Sequence, residues 1–370
     1  MPKQRLFFQH RPLCCTLVSH RIGTRPGRPR RRSAPEPVPA PAPSLSPEQQ
    51  RRAAEIEQEL QMARDIQQGL LLEAAPHLRG WELAAISLPA RDLGGDLYDF
   101  LSLGDGVQGI MIGDVSGKGL PAALRMAVAR TLFRHEARRD EAPGVTLAGV
   151  NRGVLSEIPQ GMVTMLYLRL DTRCGHLHLA NAGHTFPMFV NGTVHELELS
   201  GLPLGVDGDS DYSEASAEVG PGDTVILYTD GVLEAEDQAG AIFSYERLQA
   251  LIEAHAHLRP RAMVALMLHT LRAWSNGASQ SDDVTIVILR RRLLDLDAEL
   301  HGVVAEVLGP ERADVFWEEA TALRDGQHGP EHWIQMLPTL IKQAQTRFGR
   351  GLARELQQQL RLTIEDYRSP

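Results

Sequence analysis

Four acidic positions could do chemistry together. Asp96 stands in GGDLYDF, Asp114 in GDVSGKG, Asp230 in TDG, and the pair Asp282 and Asp283 in SDDVT. Each lies at the edge of an apolar, strand-like run, and glycine stands directly beside the first three. Gly94, Gly95, Gly113, Gly117 and Gly119 permit close backbone approach or positive φ around the first two. Taken singly, each aspartate reads equally as a solvated turn residue. Taken together they suggest a site for hard cations, because Mg²⁺ and Mn²⁺ prefer oxygen ligands. Two carboxylates ~5 Å apart at an effective dielectric of ~20 repel by roughly 3 kcal/mol, so a fold that gathers several of them needs cations. Two such ions ~3.5–4 Å apart can hold a water or hydroxide and aim it at phosphorus.

The elements that must position these residues follow from hydrophobic periodicity. Strands are expected at Trp81–Leu88, Leu97–Leu103, Val107–Ile112, Val163–Leu170, His176–Ala180, Phe186–Val190, Val194–Leu199, Val225–Thr229 and Val284–Leu289. Asn191-Gly192 reads as a type I′ hairpin. Helices are expected from Leu120 to about Arg138, Val145 to Glu157 (ended by Pro159), Tyr245 to Ala256 and Pro260 to Trp274. Strand runs separated by a helical pair indicate an α+β fold with antiparallel sheets.

Ahead of them, Ser46, Pro47 and Gln49 open a helix that runs to about Leu72. Ala53, Ile56, Leu60, Ala63, Gln67 and Leu70 form a heptad-like seam widened by Met62 and Ile66. This helix can pack on its own domain or pair with a second subunit, and a helix doing both fits best. Residues 1–45 are Arg- and Pro-rich and read as a disordered basic tail; a basic binding arm and a targeting segment are the alternatives. The linker helix then occupies 46–75, the catalytic domain 76–292 and a helical extension 293–370. That extension, broken at Gly309-Pro310 and Gly329-Pro330, reads as a partner-binding module or a packing element.

Composition excludes several classes. The 370-residue chain is 43% hydrophobic, with no apolar run long enough to cross a bilayer. Its net charge is −9, but residues 1–52 carry eleven Lys/Arg against Glu36 and Glu48, which leaves −18 for the rest. An acidic body argues against nucleic acid as the main partner. Cys14, Cys15 and Cys174 make neither a disulfide framework nor a zinc spacing, which points to a reducing, cytoplasmic setting.

The order GGDLYDF, GDVSGKG, NAGHTFP, GLPLGV, YTDGVLEA and SDDVT closely resembles the SpoIIE/RsbU-type protein phosphatases, the bacterial branch of the metal-dependent (PPM, type 2C) serine/threonine phosphatases. The resemblance spans roughly Glu59 to Arg290. It implies two stacked antiparallel sheets flanked by helices, with two Mn²⁺ or Mg²⁺ ions at one edge. On that resemblance Asp96 is the bridging ligand. Asp114, the Val115 carbonyl, Asp230 and Asp282 complete the metal ligands, and Asp283 ligates or supports. Asp99 reads as a turn or supporting residue. Some relatives carry an acidic residue where Gly95 stands, which implies weaker outer-metal coordination here. The implied mechanism is attack by metal-bound hydroxide on phosphoserine or phosphothreonine, without a phosphoenzyme. The implied substrate is a phosphorylated anti-anti-sigma-factor-like protein in a partner-switching pathway.

Three further residues have substrate-side readings. Arg91 could hold the phosphate through paired donors, or be a surface arginine. Lys118 could touch substrate or cap nearby carbonyls. His184 could protonate the leaving group, or belong to a polar turn that shapes a sheet edge. GLPLGV, Gly201 to Val206, reads as a packed turn. A catalytically weak scaffold that only binds a partner is the alternative function. A nucleotide cyclase suggested by GGD is excluded, because GGDLYDF lacks the acidic residue and phenylalanine that must follow immediately.

Overall fold

Strands with apolar residues on both faces build two sheets, each sandwiched between its partner sheet and a helical layer. The computed structural model describes residues 46–71, 75–158, 161–323 and 328–368. The expectations for the 1–45 tail, for Leu72 as a helix end and for Pro159 as a helix stop fall outside the described residues. Contacts divide the chain after Arg51; of the first unit only Ser46–Arg51 is described, and the second runs from Arg52 onward.

One sheet contains β1 (Trp81–Leu88), β6 (Met188–Val190), β7 (Val194–Glu196), β9 (Thr224–Tyr228) and β10 (Val284–Arg291), in the order β1-β10-β9-β6-β7. The other contains β2 (Leu97–Gly104), β3 (Val107–Val115), β4 (Val163–Asp171), β5 (His176–Ala182) and β8 (Glu214–Glu218), in the order β2-β3-β4-β5-β8. Every pairing is antiparallel.

Because strand side chains alternate faces, each central strand feeds two cores. Ile110 and Ile112 of β3, Leu166 and Leu168 of β4, and Val287 and Leu289 of β10 meet between the sheets. Met111, Met165 and Tyr167 point the other way, onto α2 (Leu120–Ala137) and α3 (Pro143–Glu157). Ile286 and Ile288 face α4 (Tyr245–Ala254) and α5 (Pro260–Ser275).

The linker helix α1 (Pro47–Leu70) starts with the expected capping box: the Ser46 N–H donates to Gln49 Oε1 (2.9 Å) and the Gln49 N–H to Ser46 Oγ (3.2 Å). Past the last strand, α6 (Leu296–Leu308), α7 (Pro310–Ala322), α8 (Pro330–Phe348) and α9 (Arg350–Asp366) enclose their own apolar core around Phe316, Trp333 and Leu356. Each of α7 and α8 starts at the proline of a Gly-Pro break.

Three details differ from the sequence reading. The β6–β7 hairpin has a three-residue loop, Asn191–Thr193, in which only Gly192 has positive φ, so it is not a type I′ turn. Strand β3 continues to Val115, which puts Asp114 inside the ladder opposite Thr164. Strand β8, EASAE, has no sequence expectation; it is an edge strand paired only with β5 and lacks β-branched or aromatic residues.

Candidate metal centre

Three loops and one strand end carry the carboxylates. Asp96 closes the loop before β2, Asp114 lies near the end of β3, Asp230 opens a 3₁₀ turn (Asp230–Val232) after β9, and Asp282 and Asp283 immediately precede β10. Since β10 and β9 belong to one sheet and β2 and β3 to the other, the cluster joins the two sheets at one edge.

Glycines permit this approach. A Cβ on Gly95 would lie 2.6 Å from the Val115 carbonyl oxygen and 3.3 Å from Asp114 Oδ1. A Cβ on Gly94 would lie 2.5 Å from Asp283 Oδ2, and one on Gly231 would lie 1.9 Å from the Asp283 carbonyl oxygen. An acidic side chain therefore has no room at position 95 with the backbone as it stands.

The charges are poorly compensated. Burial, and then the charge of Asp114, hold the Asp96 carboxyl well above the ordinary range, partly offset by hydrogen bonds from Thr285 and Thr229. Asp114 is pushed up to about 7 by burial and then by Asp230, Asp282 and Asp283, against a hydrogen bond with Asp96. Burial and Asp282 raise Asp230, while the Gly231 amide and Lys118 oppose the shift. Glu234 is raised by burial and by the same two aspartates. Five aspartates thus lie within mutual electrostatic range.

Among the described residues, no three His, Cys, Asp or Glu side chains converge tightly enough to hold an ion between them as they stand. The donor set nevertheless fits a hard divalent cation: several carboxylates, hardly any countercharge, and oxygen as the only donor element. Asp96, Asp114, Asp230 and Asp282 are the residues that would hold it.

Asp283 is differently engaged. Its Oδ1 accepts from the Ala90 N–H (2.7 Å) and its Oδ2 from the Gly95 N–H (2.6 Å), so it fixes the glycine loop that presents Asp96. Four residues to which the sequence reading gave no role at the site also support it. Thr229 Oγ1 donates to Asp96 Oδ2 (2.8 Å) and accepts from the Thr285 N–H (2.9 Å), and the Thr285 hydroxyl bonds Ser87 Oγ (2.9 Å). From α1, Gln67 Nε2 donates to the Gly94 carbonyl (2.7 Å) and Gln67 Oε1 accepts from the Gly94 N–H (3.2 Å). The only sequence signal for the threonines is their place beside the aspartates in TDG and SDDVT.

The substrate-side candidates separate. Lys118 reaches the cluster: its Nζ pairs with Asp282 Oδ2 (2.9 Å) and donates to the Ser281 carbonyl. Arg91 is exposed in the loop ahead of Asp96. His184 is buried; its Nδ1 bonds Thr164 Oγ1 (2.8 Å), and its backbone is tied to the Asn181 side chain by two hydrogen bonds. Burial drives its pKa down to about 3, which favours the neutral imidazole. The two hydrogen bonds with Asn181 fit the polar-turn reading. Asp99 is no turn residue: it sits in β2, fully buried, paired with Arg130 (3.1 Å) and Arg134 (2.9 Å) of α2.

Residues 104–292 match the family model described as Stage II sporulation protein E (SpoIIE), a span that begins after Asp96. The chain is 31% identical over 243 residues to the phosphoserine phosphatase RsbU of Bacillus subtilis, covering 65% of this chain and 72% of that one. It is 26% identical over 238 residues to the phosphoserine phosphatase RsbP of the same organism, covering 62% and 57%. Among solved structures, the SiaA-PP2C domain of Pseudomonas aeruginosa superposes with a TM-score of 0.58 at 24% identity, covering 65% of this chain and 97% of that one. The RsbU and RsbW domains of Rv1364c from Mycobacterium tuberculosis superpose with a TM-score of 0.53 at 24% identity, covering 76% and 79%. Both likenesses concern the two-sheet fold.

Proposed function

From the premise that this chain belongs to the SpoIIE family of metal-dependent, PP2C-type protein serine/threonine phosphatases, we propose that it removes phosphate from serine or threonine of a partner-switching protein of the anti-anti-sigma-factor type. The observation that carries this reading is the set of aspartates gathered from both sheets with so little compensating positive charge. Two divalent cations, Mn²⁺ or Mg²⁺, held by Asp96, Asp114, Asp230 and Asp282, would offset that charge and lower the pKa of a water for attack on phosphorus.

The chain's own groups do the rest. Asp283 and Gln67 fix the glycine loop, and Thr229 orients Asp96. Lys118 stands at the cluster, partly exposed, where it can meet a phosphate oxygen. Arg91, exposed ahead of the loop, can approach the same group from outside. The cysteine content fits a reducing, cytoplasmic setting. Ile56, Met62 and Ile66 are 50%, 61% and 67% exposed on α1, which supports pairing of that helix with a second copy. No helix among the described residues is long and apolar enough to cross a membrane.

The test is phosphate release from a serine-phosphorylated anti-anti-sigma-factor-type protein in Mn²⁺. Wild type should release it and Asp230→Ala should not. Absence of release from any such protein would remove the proposed substrate class.

A further inference from the structure

Beside the carboxylate cluster lies a cavity of about 320 Å³ that the reaction as described does not use. Its apolar floor is Leu88, Leu268, Leu271 and Val284. Two residues of its lining, Gly231 and Ser281, directly adjoin Asp230 and Asp282 in sequence, so the loops that carry those carboxylates form part of its wall.

The walls are held from outside. Trp274 Nε1 donates to the Ala235 carbonyl (3.1 Å), and Gln238 Nε2 to the Asn276 carbonyl (2.7 Å), which ties the loop after the 3₁₀ turn to the end of α5. Two of the polar side chains that line it are engaged within the chain, and Glu236, Arg272 and Ser275 line it as well. Gln280 Nε2 donates to the Leu88 and Asp282 carbonyls (2.9 and 2.7 Å), and Ser281 Oγ to the Glu234 carbonyl (3.3 Å). The cavity therefore offers an apolar floor beneath a partly polar lining. Its size is at the lower end of the roughly 300–1,000 Å³ usual for ligand sites.

The geometry points to a specificity pocket for a large apolar side chain flanking the phosphorylated residue of the protein substrate. The inference rests on the phosphatase reading and extends it to substrate sequence. A phosphoserine whose phosphate sits at the cluster brings its neighbours close to those shared loops. Burying a leucine-sized side chain there favours the complex by about 1.5–3 kcal/mol at most, roughly ten- to a hundredfold in binding. The apolar floor of Leu88, Leu268, Leu271 and Val284, continuous with the loops that carry Asp230 and Asp282, sets an apolar side chain of the substrate ahead of a polar effector.

The experiment uses the full chain in Mn²⁺ with p-nitrophenyl phosphate and with phosphoserine peptides that carry leucine or serine at each flanking position in turn. Wild type should favour leucine at one position by about tenfold or more in kcat/KM. Ala278→Trp, which fills the cavity from its rim, should erase that preference, and Leu268→Ser should reduce it; thermal melts check that both variants fold. Turnover of p-nitrophenyl phosphate without any leucine preference, or without cleavage of any peptide, would overturn the pocket and leave the phosphatase reading standing. A preference that survives Ala278→Trp would also overturn it. No Mn²⁺-dependent turnover of any substrate would remove the phosphatase reading and the pocket with it.

Discussion

Asp96 shows how one residue depends on neighbours that no local pattern reveals. Its carboxylate is buried, faces the charge of Asp114, and is positioned by the Thr229 hydroxyl, which the Thr285 amide holds in turn. The aspartates were legible in the sequence because glycine punctuation and strand edges single them out. The threonines were not, because a threonine in a β-rich run is ordinary. Support of this kind typically changes metal affinity or activity about 10–100-fold when removed. Thr229→Val, similar in shape, should therefore lower Mn²⁺-dependent turnover by about that factor and weaken Mn²⁺ binding measured by calorimetry. Unchanged values in both measurements would remove the positioning role.

At the scale of elements, the linker helix carries the clearest consequence. Gln67 reads locally as a flaw in an apolar seam; in the fold it is a two-way clamp on the Gly94 backbone, and a partner 27 residues away is invisible to periodicity. Leu60, Ala63 and Leu70 are half-buried on the same side, whereas Ile56, Met62 and Ile66 face out. A shift of α1 would thus move the loop that presents Asp96. Leu60→Asp places a charge against that seam, which costs several kcal/mol unless the helix undocks. On the proposal that α1 pairs two copies, mass by light scattering and Mn²⁺-dependent activity should fall together while circular dichroism stays native. Full activity and unchanged mass would separate this helix from regulation. Strand β8 was missed for a simpler reason: Ala215 and Ala217 touch the inter-sheet core with too little apolar area to mark the alternation.

At the scale of the molecule, the C-terminal helices are bound to the catalytic sheets by a buried ionic network. Glu299 of α6 is fully buried and meets Arg259 (2.9 Å), Arg290 (3.1 Å) and Arg292 (3.1 Å); Arg292 also meets Asp366 of α9 (2.9 Å). Burial alone would push the Glu299 pKa up, but the three arginines pull it below the ordinary value. A depressed folded pKa means that the stabilisation is present above the unfolded pKa and is lost as pH falls through the folded one. Glu299→Gln leaves buried arginines short of a partner, a change that typically costs about 3–5 kcal/mol. It should lower the melting temperature at neutral pH and weaken the acid-induced loss of stability. An unchanged neutral melt would show that these helices hold without the network. The starts of α7 and α8 were legible from the two Gly-Pro breaks; the attachment of the extension was not, because it depends on Arg290 of β10, Arg292 just past it and Arg259 just ahead of α5 meeting Glu299 of α6 and Asp366 of α9.

The most direct test of the whole account is hydrolysis of p-nitrophenyl phosphate by the purified chain in Mn²⁺ or Mg²⁺, then in EDTA, for wild type and Asp96→Ala. The carboxylate cluster predicts turnover that stops in EDTA, returns when the ion is restored, and is absent in the variant. Undiminished hydrolysis in EDTA, or full activity without Asp96, would contradict it.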